Sequence, residues 1–346
     1  MAPILDAHAR PPESMRDLFK SRRKQSFTSI DSDFEIIDPH NPKATAVTFL
    51  QGSGQSQRNE LSTLEREFAK GITLPHLSTP IDDRSPLPAF ETNALPGLLV
   101  FPSLLTPHLQ VALLEKLLHR DLSDPEHKTN LHLHYDIQYP TVKAGDSQNA
   151  GGCSSSFFSS DRSTIMKPKD PSVHRPLTIT QVLDSKLRWV TLGGQYDWTN
   201  KIYPKEVPPT FPPDIASLLQ TLFPSVYAQA AILNFYSPGD TLSVHRDVSE
   251  ECDRGLISIS IGCDSLFIAG NEDGTEVITL RLRSGDAILM SGESRYAWHA
   301  VPKIVPDTCP SWLQSWPDVN GTHKYEAWHG WMGNKRINLN VRQMKD

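Results

Sequence analysis

Between residues 228 and 342 the chain breaks into eight short runs of apolar and β-branched residues separated by tight-turn signals. No other feature of the sequence restricts the fold so strongly. The runs are 228–236, 242–247, 256–262, 265–269, 277–283, 286–291, 296–301 and 336–342. Pro238-Gly239-Asp240, Asn271-Glu272-Asp273-Gly274 and Ser284-Gly285 fall between them, and these residue types favour turns through their backbone preferences. Strands of this length and spacing predict an antiparallel double sheet of the jelly-roll kind.

The part before this core reads differently. Residues 1–95 are rich in Pro, Ser, Asp and Arg and predict a long, largely irregular N-terminal extension, in which only 61–70 reads as a helix. Order is expected from Pro96, with a strand over 97–101 and an amphipathic helix over 106–122. Thr106 is placed to cap that helix and Pro107 to occupy its first turn. A long loop over 141–175 and a second helix over 213–222 complete this region. The expected class is α+β, a double-stranded β-helix core with helices packed on one face. The expected division is an extension over 1–95 and one domain over 96–346. Within it, helical support and recognition loops occupy 96–227, and the strand core occupies 228–346 with an insertion at about 303–331.

Composition narrows the function classes. The formal charge of −6 gives no general attraction to polyanions, so a nucleic-acid surface must be local. Residues 137–205 hold nine Lys and Arg against five Asp, a modest balance of +4. No apolar run approaches the roughly 20 residues that span a bilayer, and no signal-peptide core follows Met1, so a membrane or secreted protein is not expected. Cys153, Cys252, Cys263 and Cys309 form no C-x-x-C, which favours free thiols in a reducing compartment. Arg22-Arg23-Lys24 reads as a candidate nuclear address, whereas Asp6, Glu13 and Asp17 argue against a mitochondrial leader. Nucleus or cytoplasm is expected, with the mitochondrion left open.

A His-x-Asp pair with a distant His is the sequence form of the two-His, one-carboxylate site of iron(II) oxygenases. Positions i and i+2 of a strand share a face, so His245 and Asp247 can grip one ion together. Two rival pairs exist. His119-Arg120-Asp121 lies at a predicted helix end, where i and i+2 diverge, and its kinase-loop likeness fails because Glu126 stands where that loop needs Asn. His134-Tyr135-Asp136 remains a minor rival. Arg336, Asn338, Asn340 and Arg342 also lie at even spacing on one strand face. Two guanidinium groups so placed suit a dicarboxylate.

The stretch Leu233-Asn234-Phe235-Tyr236-Ser237-Pro238-Gly239-Asp240-Thr241-Leu242-Ser243-Val244-His245-Arg246-Asp247 closely resembles the metal-binding hairpin of the AlkB family. Ser291-Gly292-Glu293-Ser294-Arg295 resembles the turn before that family's second metal His, here His299. Arg336-Ile337-Asn338-Leu339-Asn340-Val341-Arg342 is similar to its C-terminal Arg-x-Asn-x-x-x-Arg signature. The detailed likeness covers about 185–346, with a weaker one from about Pro96. The resemblance implies iron(II) on His245, Asp247 and His299, with oxygen and 2-oxoglutarate as cosubstrates. It assigns the two ends of 2-oxoglutarate to Arg336 and Arg342, with Asn234, Tyr236 and Asn338 as hydrogen-bond partners.

It also places Trp189 where the family carries a Trp that holds the target base against the first metal His; Tyr196 and Trp198 follow in a Gly193-Gly194 loop. The implied reaction is oxidative demethylation of an N-methylated base in nucleic acid, releasing formaldehyde and succinate. N1-methyladenine in tRNA is the first expected substrate and methylated DNA the second. Two departures bear on this. Ser249 replaces an acidic residue that the bacterial pattern uses to read the base. His299 and Arg336 stand 37 positions apart around the insertion, as in the eukaryotic homologues that act on tRNA and DNA. The alternatives are an oxygenase acting on protein or a small molecule, and a non-catalytic iron-binding relative.

Overall fold

In the computed structural model, which describes residues 5–50, 55–72, 74, 88–140, 156–318 and 324–346, all eight predicted runs contain strands. They form two sheets. The larger runs, in spatial order, Val47–Phe49, Phe90–Thr92, Leu98–Phe101, Ala287–Met290, Leu256–Gly262, Arg336–Arg342, Ala230–Tyr236 and Trp189–Gly193. The smaller runs Ile36–Ile37, Val277–Leu282, Ser265–Gly270, Trp298–Ile304 and Leu242–His245. All neighbours are antiparallel except Ile36–Ile37 on Val277–Leu282. The core is therefore the expected jelly roll within an α+β fold.

The central strands are buried along their whole length, on both faces. In Leu256–Gly262 the alternation survives in chemistry: Ile257, Ile259 and Ile261 share one face, while Ser258 and Ser260 turn the other towards Asn338 and Arg336. One glycine is dictated by space. Gly97 has φ of +84°, and a Cβ there would lie 2.0 Å from the carbonyl oxygen of Ser291, at the turn that leads to His299.

Thr106 caps the helix Pro107–Leu114 by accepting from the amide of Leu109 at 3.2 Å. The expected amphipathic character is not found, because Leu109 to Leu114 are all buried. The helices Gln55–Phe68 and Ser311–Gln314 cover the side that would otherwise face water. Beyond Leu114 the chain continues as a π turn, Glu115–Arg120, and a short 3-10 turn. The second helix is Pro213–Leu222.

Four expectations need correction. Residues 5–50 are not irregular: they hold the helix Glu13–Lys24, a short helix Phe27–Ile30 and two strands. Glu13–Lys24 packs on Leu242–His245, Ser265–Gly270 and Trp298–Ile304, so helices cover the smaller sheet as well as the larger. Arg22 is not a free basic residue there, since its buried guanidinium binds Asp33, Glu35 and Thr279. The stretch 141–175 is not one loop, because Ile165–Pro168 pairs with Tyr135–Asp136 and Leu177–Thr178. Residues 141–155, Cys153 among them, lie outside the described residues.

The insertion begins by extending the strand Trp298–Ile304, then folds inward. Its Trp316 and Tyr325 stack on either side of His119, which lies buried, and Trp328 and Trp331 meet Phe158 edge-on. Among the described residues no helix is long and apolar enough to cross a membrane.

Candidate active site

His245 ends the strand Leu242–His245 and stands directly across from His299 in register, their ring centroids 4.3 Å apart. Asp247 lies beyond the strand end, so the expected shared strand face is corrected. The chain beyond the strand end still brings its carboxylate back to the two rings. Both imidazoles are held through Nδ1, which donates to the Ser243 carbonyl at 2.8 Å in His245 and to the Ala297 carbonyl at 3.0 Å in His299. That leaves each Nε2 as the electron-pair donor, the tautomer a metal ligand needs. His245 Nε2 lies 4.0 Å from Asp247 Oδ1, and His299 Nε2 lies 3.8 Å from Oδ2. One ligand atom from each of the three lies within 4.8 Å of the others, and no other such cluster occurs among the described residues. The rival pair His134 and Asp136 sits exposed, and His119 is enclosed by aromatic rings.

The protonation states suit a cation. Burial pushes the His299 imidazole down to about 4, and His245 beside it acts in the same sense. Burial would raise the Asp247 carboxyl, but Arg342, the two imidazoles and Arg295 outweigh it and hold the group well below the usual carboxylate range. The neutral imidazole of His299 and the ionised carboxylate of Asp247 are forms that ligate.

The two arginines that looked equivalent in the sequence are not. Arg342 is already engaged, its Nη2 donating to Asp247 Oδ2 at 2.6 Å. Arg336 is 1 % exposed and, among the described residues, donates from Nη2 to Ser260 Oγ at 2.8 Å while its Nε and Nη1 find no partner. The hydroxyl of Tyr236 is also buried without a partner among the described residues, its ring centroid 5.6 Å from the Arg336 guanidinium carbon. Burial lowers Arg336 to about 10, so it stays charged at neutral pH. A buried cation without an anion is costly, and a carboxylate would satisfy both orphaned groups. The residues present therefore fit an acidic cosubstrate. Asn338 spends its amide nitrogen on Ser258 Oγ and the Ile259 carbonyl, at 2.8 and 2.9 Å. Asn234 faces it in register and reaches the cavity wall.

A cavity of about 330 Å³ opens beside the cluster. Its walls include His245, Asp247 and Ser249 together with Tyr196, Trp198 and Tyr203. Tyr196 Oη lies 3.4 Å from Ser249 Oγ, which donates to the Lys201 carbonyl at 2.8 Å. Trp189 is half-buried and is not part of this wall; it leans on Trp198 with ring centroids 5.1 Å apart. No spacing signal in the sequence marks Tyr203 or Glu250, and Arg295 is legible there only as the last residue of the turn Ser291–Arg295.

A family model described as the 2OG-Fe(II) oxygenase superfamily matches residues 153–342. The chain is 47 % identical over 359 residues to "N6-methyladenosine RNA demethylase ALKB1" of Pyricularia oryzae, covering 99 % of this chain and 98 % of that protein. It is 38 % identical over 318 residues to "tRNA demethylase abh1" of Schizosaccharomyces pombe, covering 86 % of this chain and 99 % of that one. A third relative, "N6-methyladenosine RNA demethylase ALKBH" of Cryphonectria parasitica, is 56 % identical over 231 residues, covering 62 % of this chain and 100 % of that one. The chain belongs to the AlkB family of iron(II)- and 2-oxoglutarate-dependent dioxygenases, in the branch of its eukaryotic members.

Proposed function

We propose that the protein oxidatively demethylates N-methylated adenine in RNA, with N1-methyladenine in tRNA as the first substrate to test. The observation that carries this reading is a cavity with aromatic walls that is lined by His245 and Asp247, two of the three members of the cluster with His299. The names of the relatives support nucleic acid as the substrate class, and two of them make N6-methyladenosine in RNA an equal competitor.

In this reading His245, Asp247 and His299 hold iron(II). Arg336, with the hydroxyl of Tyr236, binds one carboxylate of 2-oxoglutarate, while Asn234 and Asn338 orient it. Arg342 keeps Asp247 ionised and presented to the metal. Bound iron, 2-oxoglutarate and oxygen supply the oxidation: the cosubstrate leaves as succinate and carbon dioxide, and the N-methyl group gains a hydroxyl and departs as formaldehyde. The chain's own task is to place that methyl group. Trp198, backed by Trp189, and Tyr196 offer ring faces on which a base can stack, an interaction worth about 1–3 kcal/mol per base. A base reaches such a cavity only when unpaired or flipped, as in an RNA loop. Ser249, already bonded to Lys201, contributes a neutral hydroxyl where the bacterial pattern has an acid, so the base edge is read differently.

The test is nucleoside mass spectrometry after incubation with tRNA carrying N1-methyladenine, RNA carrying N6-methyladenosine and methylated DNA. Loss of methyl from one RNA adenine is the expected result. Succinate without loss from any of them would move the substrate to protein or small molecules.

A further inference from the structure

Asp247 is tied into a closed ring of buried charges. Arg342 Nη2 donates to Asp247 Oδ2 at 2.6 Å, and Arg342 Nε lies 3.2 Å from Glu250 Oε1. On the other side, Arg295 Nη2 donates to Glu250 Oε2 at 2.9 Å. Arg295 Nη1 closes the ring on the backbone carbonyl of Asp247, also at 2.9 Å, and its Nε binds the Arg254 carbonyl at 2.6 Å. The side chains of Arg295, Glu250 and Arg342 are 1 %, 2 % and 5 % exposed.

We propose that Glu250 is a positioning residue for the metal, balancing charge and sharing Arg342 so that Asp247 remains available to the ion. This rests on the reading that His245, Asp247 and His299 hold iron. Two guanidinium groups face two carboxylates, so the ring is neutral as built. Without the charge of Glu250 it carries an extra positive charge beside the place a dication must occupy, where the low-dielectric surroundings screen it poorly. Arg342 would also lose its second acceptor and turn wholly to Asp247, competing with the metal for that carboxylate. Through Arg295, Glu250 further fixes the backbone at Asp247, which no strand pairing holds. Partners one step behind the ligands commonly set metal affinity in this way.

The test uses the full chain with Co(II) as the probe, titrated calorimetrically, together with succinate formation at saturating iron. Glu250→Gln keeps the shape and removes the charge. It is expected to weaken Co(II) binding on the order of tenfold, while the KM for 2-oxoglutarate, an anion, does not rise. Glu250→Asp keeps the charge and is expected to recover most of the Co(II) affinity. Wild-type Co(II) affinity in Glu250→Gln would overturn the proposal. So would a loss of metal and cosubstrate binding together that Glu250→Asp does not repair, since that is simple structural damage. Asp247→Ala is the separate check on the metal reading: if it binds Co(II) like the wild type, the ligand assignment itself is wrong.

Discussion

Among the described residues the buried guanidinium of Arg336 bonds Ser260 and leaves Nε and Nη1 without acceptors. If those atoms receive a carboxylate of 2-oxoglutarate, Arg336→Met removes charge-assisted bonds worth about 1.5–3 kcal/mol each. The KM for 2-oxoglutarate is expected to rise roughly 10- to 100-fold in succinate assays. Thermal denaturation of the same variant without cosubstrate should show no loss of stability, because an unpaired buried charge has been removed. An unchanged KM would refute the assignment. The even spacing of Arg336, Asn338, Asn340 and Arg342 made their shared face legible in the sequence, since the strand repeat is two. The division of labour between the two arginines was not legible, because it depends on Asp247 and Glu250, brought near only by the fold.

Among the elements, the helix Glu13–Lys24 departs most from the sequence reading. Met15, Leu18, Phe19 and Arg22 follow helical spacing, but charged neighbours and flanking prolines hide the stripe in the composition. Met15 is fully buried against Ile268, Trp298 and Ala300, on the sheet that carries both histidines. Met15→Ala is expected to cost about 2–5 kcal/mol, read from denaturant unfolding, as for other large-to-small core changes. A cost near zero would mean that this helix is not part of the cooperative core. The eight strands were readable to within a few residues because turn residues punctuate them. The end of Leu242–His245 was not, since its pairing with the opposite strand stops at His245 and His299, short of Asp247.

For the whole molecule, burial leaves a pH signature. It pushes His119, His132 and His299 down to about 3, about 4 and about 4. An unfolded histidine titrates near 6.5, so between these values the unfolded chain takes up the extra protons and stability falls as the pH drops. Glu115 opposes this. Burial raises it from 4.5 to about 7, so its contribution is full below 4.5 and is lost as the pH rises through 7. Three histidines outweigh one glutamate, and the unfolding midpoint of the metal-free protein is expected to fall between pH 7.5 and about 5.5. Added Co(II) should raise the midpoint without lessening the fall, because it binds the unprotonated imidazole of the folded chain. A midpoint that stays level or rises would contradict these assignments.

His245, Asp247 and His299 are the cluster that could hold a metal ion, and the proposal makes it the iron site of a nucleic-acid demethylase. The most direct measurement incubates the protein with iron(II), ascorbate, 2-oxoglutarate and tRNA carrying N1-methyladenine, then quantifies formaldehyde and succinate beside an Asp247→Ala control. Formaldehyde matched by succinate, with both lost in Asp247→Ala, is the predicted result. Equal product from Asp247→Ala, or no formaldehyde from any methylated nucleic acid while iron is bound, would contradict it.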